Sequence, residues 1–180
     1  MALWSYCRLT PKLKIFCCDT YGKPFLKALT NRLKDEGLIA NFHISVAKFV
    51  GPCNQKLDRQ IKALHFQTFF NAFLVFADAD GKSQGQIKRT IVSHFSDISG
   101  VKFEVVVFKY EIEDWICESK GTCVQGNKSS ETLRKSEQYE KYRLPNYATT
   151  LDIDKLCNDC ESFKQFISFL QMIVEDNSNN

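Results

Sequence analysis

Residues 73–81, FLVFADADG, constrain this chain more than any other stretch. Phe73, Leu74, Val75, Phe76 and Ala77 make a nearly unbroken apolar run, aromatic and β-branched in part, of the kind expected for a strand buried on both faces of a parallel sheet. Polarity then switches abruptly to Asp78, Asp80 and Gly81. In open α/β sheets ligands sit beyond the carboxyl ends of the strands, so both aspartates fall where a reaction centre forms. Two residues apart in an extended chain, their side chains leave on the same side, and two hard oxygen donors converging there suit Mg2+ or Mn2+. The plainer alternative is that strand-ending aspartates cap the helix that follows.

The flanking segments predict the sheet. Residues 14–18 read as a first strand ending at Asp19, followed by the turn Tyr21-Gly22-Lys23-Pro24. Phe25, Leu26, Leu29 and Leu33 then recur at helical spacing and Gly37 closes the element. A second strand is expected over 40–46 and, after the break at Val50-Gly51-Pro52, a helix over 56–70 carrying Leu57, Ile61, Leu64 and Phe69. Beyond Gly81, Ile87, Ile91, Val92 and Phe95 share a helical face, and 101–108 is a valine-rich fourth strand. Strands alternating with amphipathic helices, joined by right-handed crossovers, give an α/β fold: a three-layer α/β/α sandwich on a mainly parallel four-stranded sheet. Asp19 meets Asp78 and Asp80 only if strands 1 and 3 are neighbours, as in the order 2-1-3-4.

Glu111-Ile112-Glu113-Asp114-Trp115-Ile116 starts at the same carboxyl edge. If a helix begins here, Ile112, Trp115 and Ile116 pack inward. The macrodipole favours acids in a first turn, but three acids at a further strand end exceed what capping needs, which makes Glu113, and after it Glu111, candidate site residues. Residues 118–131 are polar and Gly/Ser-rich, a loop long enough for a lid. Over 133–142 a polar helix is expected. Tyr139, Tyr142 and Tyr147, near Lys141 and Arg143, are suited either to stack on bases or to pack against the flank of the sheet. Phe163, Phe166, Ile167, Leu170 and Ile173 mark an amphipathic closing helix over 162–174. The expected organisation is one domain, with an α/β core over 1–117 and a polar loop and C-terminal helical extension over 118–180 packed on it.

Composition narrows the partners only slightly. A net charge of +3 is too small to announce a nucleic-acid binder, but Lys12, Lys14, Lys23, Lys27, Arg32 and Lys34 make the first segment basic, while Asp152, Asp154, Asp159 and Glu161 make the late one acidic. A basic face near an acidic metal site is compatible with a phosphate-bearing substrate; a solvated helix face is the ordinary alternative. No apolar run approaches the roughly 20 residues of a membrane span, and residues 1–14 lack the apolar core of a signal peptide, so a cytoplasmic protein is expected. Of the eight cysteines, only Cys157-x-x-Cys160 has the spacing of half a zinc site, so zinc is not expected. Cys17 is expected to be a buried free thiol, and Cys117/Cys123 and Cys157/Cys160 stay open as disulfide pairs.

Together, the strand-acid-turn-helix at 15–33, the strand-DxDG at 73–81 and Ile112-Glu113-Asp114-Trp115 resemble Toprim-like domains. The likeness is nearest to the small stand-alone microbial proteins of that group, relatives of the Toprim part of OLD-type nucleases. Their last segment commonly ends in a Ser-Phe-x-x-Phe helix, as in Ser162-Phe163-Lys164-Gln165-Phe166. The resemblance implies that Asp78 and Asp80 hold Mg2+ or Mn2+ during phosphodiester cleavage or transfer; Glu113 and Glu111, from their place at the same edge, are expected as further ligands. It also implies a general acid/base at the end of the first strand, where Asp19 occupies the place of a glutamate and Thr20 that of the usual glycine. Aspartate is one methylene shorter, and a misplacement of about an ångström can cost roughly a hundredfold in rate. Either Glu113 then supplies the catalytic role or catalysis has been lost. The expected function is a metal-dependent nuclease acting on DNA or RNA, with Lys23 and Lys82 contacting phosphate. The alternative is a non-catalytic Toprim-like protein that binds nucleic acid, a partner protein or a second copy of itself. A further alternative reads DADG as the nucleophile motif of haloacid-dehalogenase-like phosphatases, although that fold carries its DxD on the first strand.

Overall fold

The apolar run ahead of Asp78 lies inside a four-stranded parallel sheet. A computed structural model of the chain describes residues 11–49, 51, 55–95, 98–122, 124 and 128–175. Strands β1 (Lys12–Cys17), β2 (His43–Lys48), β3 (Ala72–Asp78) and β4 (Lys102–Phe108) are arranged β2-β1-β3-β4, the order that the acids required. All three pairings are parallel. β3 is buried from Ala72 to Ala77 and opens to solvent at Asp78, its last residue. Its side chains alternate: Ala72, Leu74 and Phe76 enter one core, Phe73, Val75 and Ala77 the other. Helices therefore cover both faces, α2 (Lys56–Thr68) and α3 (Gln84–Ser93) on the second, α1 (Gly22–Asp35) and the C-terminal helices on the first.

The first face carries more of the core because the C-terminal helices lie against it. These are α4 (Asp114–Lys120), α5 (Ser129–Glu137), α6 (Leu144–Tyr147), α7 (Ile153–Asp159) and α8 (Glu161–Glu175). Ile112, Trp115 and Ile116 do pack inward, and Trp115 is fully buried. Its indole meets Phe76 and Phe108 of the sheet edge-on at ring centroid distances of 5.5 and 5.1 Å, and Phe163 and Phe166 of α8 at 4.9 and 5.4 Å. The indole N–H donates to Ser162 Oγ at 2.9 Å, so the one polar atom of this aromatic centre is satisfied. Sheet, α4 and α8 are thus fastened through a single side chain.

Several boundaries differ from expectation for identifiable reasons. β2 begins at His43 rather than residue 40, because the pairing with β1 starts at Lys12↔His43 and Phe42 is instead a buried plug whose carbonyl accepts from Lys34. The polar helix expected over 133–142 is α5, ending at Glu137, because Gln138 adopts a left-handed conformation (φ 54°) that terminates it. A 3-10 turn, Lys141–Arg143, then leads into α6. Residues 118–120 belong to α4 and Ser129 opens α5, so the loop between them is shorter than expected; 123 and 125–127, within the stretch read as a lid, lie outside the described residues. Helix α7 was not anticipated, although Asp152 caps it by accepting from Lys155 N at 2.9 Å. Cys17, Cys18, Cys117, Cys157 and Cys160 are free thiols, and Cys17 is buried as expected; Cys7, Cys53 and Cys123 lie outside the described residues. Among the described residues, no helix is long and apolar enough to cross a membrane.

The substitution Trp115→Ala should cost about 3–5 kcal/mol of unfolding free energy, read by denaturant titration, because it empties the contact shared by β3, β4 and α8.

Candidate functional site

Three neighbouring strands end in acids at one edge of the sheet. β1 delivers Asp19, β3 delivers Asp78, and the segment after β4 delivers Glu111, Glu113 and Asp114. Beyond Asp78 the chain stays bound to its neighbour: Ala79 N donates to Phe108 O at 3.0 Å, Asp80 N to Tyr110 O at 3.3 Å and Gly81 N to Lys109 O at 2.9 Å. Lys82 N returns to Ala79 O at 2.8 Å, which closes a tight turn. Its central residues, Asp80 (φ 48°) and Gly81 (φ 75°), both have positive φ, the backbone for which Asp-Gly is the preferred pair. The expectation that Asp78 and Asp80 point the same way assumed extended backbone, and the left-handed Asp80 departs from it. Asp80 is exposed at the lip of the site, near enough to Asp78 to act on its charge.

The centre of the cluster is a lysine that sequence reasoning did not place there. Lys141 Nζ lies 2.8 Å from Glu113 Oε1, 3.0 Å from Asp19 Oδ2 and 3.6 Å from Glu111 Oε2. Tyr139, two residues earlier, is buried and donates its hydroxyl to Glu113 Oε1 at 2.6 Å. Of the two uses considered for Tyr139, packing against the sheet's flank is the one observed, with an added polar role. Tyr142 is exposed, and Tyr147 is partly buried against the same core. The sequence signal for this grouping was only Tyr139-Glu140-Lys141 itself, since nothing local connects it to a strand end so distant in the chain.

The remaining carboxylate oxygens are largely committed to holding helices. Asp19 Oδ1 accepts from the backbone N–H groups of Tyr21 at 2.5 Å and Gly22 at 2.8 Å, at the start of α1. Glu111 Oε1 accepts from Ser130 N at 2.7 Å, at the start of α5. Asp114 is structural on both sides, accepting from Tyr110 N at 2.8 Å through Oδ2 and from the Ser129 hydroxyl through Oδ1. Asp19 is therefore occupied at both oxygens, one by a helix and one by Lys141. Lys23, in the first turn of α1, and Lys82, just after the Asp80-Gly81 turn, are exposed on this edge. Lys48, at the end of β2, donates to Thr20 Oγ1 at 2.6 Å, and Lys109 lies over the ring of Tyr110.

Charge at the site is set by burial and crowding. Desolvation pushes Glu113, fully buried, above the ordinary carboxylate range, opposed by Lys141 and Tyr139 and reinforced by Glu111. Burial works against a charge on Lys141, but Glu113 and Asp19 outweigh it and hold its pKa above the ordinary lysine range. With Lys141 and Tyr139 both bonded to Glu113, the arrangement is an ion pair with the ammonium charged. Asp78 is pushed up to about 7, first by desolvation; Lys141 opposes the shift, and Glu111, Asp80 and Glu113 add to it. The residue also reaches solvent, so water tempers this penalty.

Among the described residues, no three carboxylate, thiol or imidazole groups are gathered tightly enough to hold a metal ion as they stand. The donor set itself, carboxylate oxygens only, is of the hard kind that Mg2+ and Mn2+ prefer, and a cation, Lys141, already stands among it. Comparison with models of protein families, with curated proteins and with solved structures finds no match for this chain.

Two outcomes are expected. Because the native Asp78 pKa, about 7, exceeds the ordinary 3.8, the folded state retains a proton that the unfolded chain releases; the associated stability is full below about pH 4 and is lost as pH rises through 7. In EDTA, Asp78→Asn should therefore melt with wild type near pH 4 and above it at pH 8. Tyr139→Phe should cost roughly 1–3 kcal/mol in chemical denaturation at neutral pH, by removing a bond to the buried Glu113 carboxylate.

Proposed function

We propose that this chain is a Toprim-like, Mg2+- or Mn2+-dependent phosphodiester enzyme, a nuclease acting on DNA or RNA. The observation that carries the reading is the convergence of Asp19, Asp78, Glu111 and Glu113 from three adjacent strand ends onto the carboxyl edge of a parallel sheet. Asp78 and Asp80, on the open side, together with Glu113 and Glu111 would hold the ion. When bound, the metal would polarise a phosphate and lower the pKa of a coordinated water. The chain's own groups divide the remaining work. Both oxygens of Asp19 are engaged, so the proton-transfer role falls to Glu113 or to a carboxylate that the metal leaves free. Asp19 instead positions Lys141 and the start of α1. Lys23 and Lys82 form an exposed basic rim suited to a phosphate backbone. A cytoplasmic setting accords with the free thiols of Cys17, Cys18, Cys117, Cys157 and Cys160.

A second reading is favoured by Lys141 and by the helix-capping roles of Asp19 and Glu111: a non-catalytic protein that keeps the acidic edge as structure and binds nucleic acid or a protein partner.

Cleavage of single- and double-stranded DNA and RNA with Mn2+ or Mg2+ separates the two. The enzyme reading expects activity that requires the metal and falls by about two orders of magnitude or more in Asp78→Ala. Asp80→Asn is the cleaner companion variant, because asparagine tolerates the left-handed backbone that alanine resists. Folded protein that binds nucleic acid but leaves it intact under all these conditions would establish the second reading.

A further inference from the structure

Lys141 is held in place by more than its charge. Tyr139 is buried on one side of it and Leu144 on the other, so the 3-10 turn that carries Lys141 is anchored at both ends. Between those anchors a single ammonium, with three N–H donors, faces Glu113 at 2.8 Å, Asp19 at 3.0 Å and Glu111 at 3.6 Å. Asp78 also lies within its field, which pulls against the other causes acting on that carboxyl. The side chain keeps about a third of its surface, 36%, open to solvent, and its four-carbon stem is flexible. It can therefore leave the acids without the turn unfolding.

We propose that Lys141 is a built-in counter-ion that occupies the cation position of this site in the metal-free protein, and that a divalent ion binds only by displacing it. The inference rests on the metal-dependent reading given above. The ion and the ammonium would compete for the oxygens of Glu113 and Glu111 and repel each other at that distance. The ion therefore sees a binding-competent site only in the fraction of molecules whose lysine has moved out, and its apparent affinity is reduced by that fraction. On this account Lys141 protects the fold from carboxylate repulsion when the site is empty and sets a threshold of divalent ion below which it stays closed.

The test titrates Mn2+ alone, by calorimetry and by the paramagnetic resonance signal of the free ion, into wild type, Lys141→Met and Lys141→Arg. Each protein is first checked for a cooperative melt. The Met variant should bind Mn2+ at least about tenfold more tightly than wild type, and the Arg variant, which keeps the charge, should not. Should the Met variant fail to fold, Lys141→Gln, which can still donate to Glu113, takes its place. Wild type supplies an independent readout through amine acylation mapped by mass spectrometry, in which saturating Mg2+ should raise labelling at Lys141 and leave exposed Lys27 unchanged. Unchanged or weaker binding in the Met or Gln variant, or labelling at Lys141 that does not respond to Mg2+ in protein that binds Mn2+, would overturn the displacement account and leave the metal-dependent reading intact. If neither wild type nor any variant binds Mn2+, both fall together.

Discussion

Carboxylates gathered at the end of a parallel sheet repel one another, and the fold has to answer that repulsion before anything else can be built there. Here the answer comes from far along the chain. The ammonium of Lys141 meets Glu113, Asp19 and Glu111, and the Tyr139 hydroxyl completes the bonding of Glu113, the most deeply buried of these acids. Backbone N–H groups at the starts of α1 and α5 take further oxygens of Asp19 and Glu111. Each of these partners has a second job in the architecture. An acidic edge that looks like a cluster of spare ligands is also a junction at which β1, β4, α1, α5 and the Lys141 turn are tied together.

The aromatic centre complements this polar junction from below. Trp115 directly follows the acidic segment, and its ring lies against Phe76, Phe108, Phe163 and Phe166 while its N–H reaches Ser162. Displacement of α8 would loosen the residue that fixes where Glu113 and Asp114 emerge. Two short motifs distant in sequence, Glu113-Asp114-Trp115 and Ser162-Phe163-Lys164-Gln165-Phe166, are one packing unit in space.

What could be read from the sequence was whatever depends on periodicity over a short window. The alternation of strands and helices, the strand order needed to join Asp19 to Asp78, the closing of α1 near Gly37 and the inward packing of Ile112, Trp115 and Ile116 all follow from local patterns and hold in the structure. Asp80 does not continue the period of two because the strand ends at Asp78, and Asp-Gly is itself a turn signal that points to positive φ. Lys141 was invisible for a different reason: its partners are tertiary, and a lysine in a polar stretch reads like any solvated lysine. The bonds of Glu111 and Asp114 to α5 were hidden in the same way, since Glu111 accepts from Ser130 N and Asp114 from the Ser129 hydroxyl across the α4–α5 connection.

Those two bonds have a bearing on how the molecule can vary. Glu111 and Asp114 grip Ser130 and Ser129, while Gly121 ends α4 in a left-handed conformation, so both ends of the α4–α5 connection are fastened to rigid neighbours. Extending a connection whose ends are already fixed costs little entropy, because the penalty grows only with the logarithm of its length. The scaffold can therefore accept a longer version of that connection at little cost to the positions of its carboxylates, which makes it a suitable place to graft a foreign peptide.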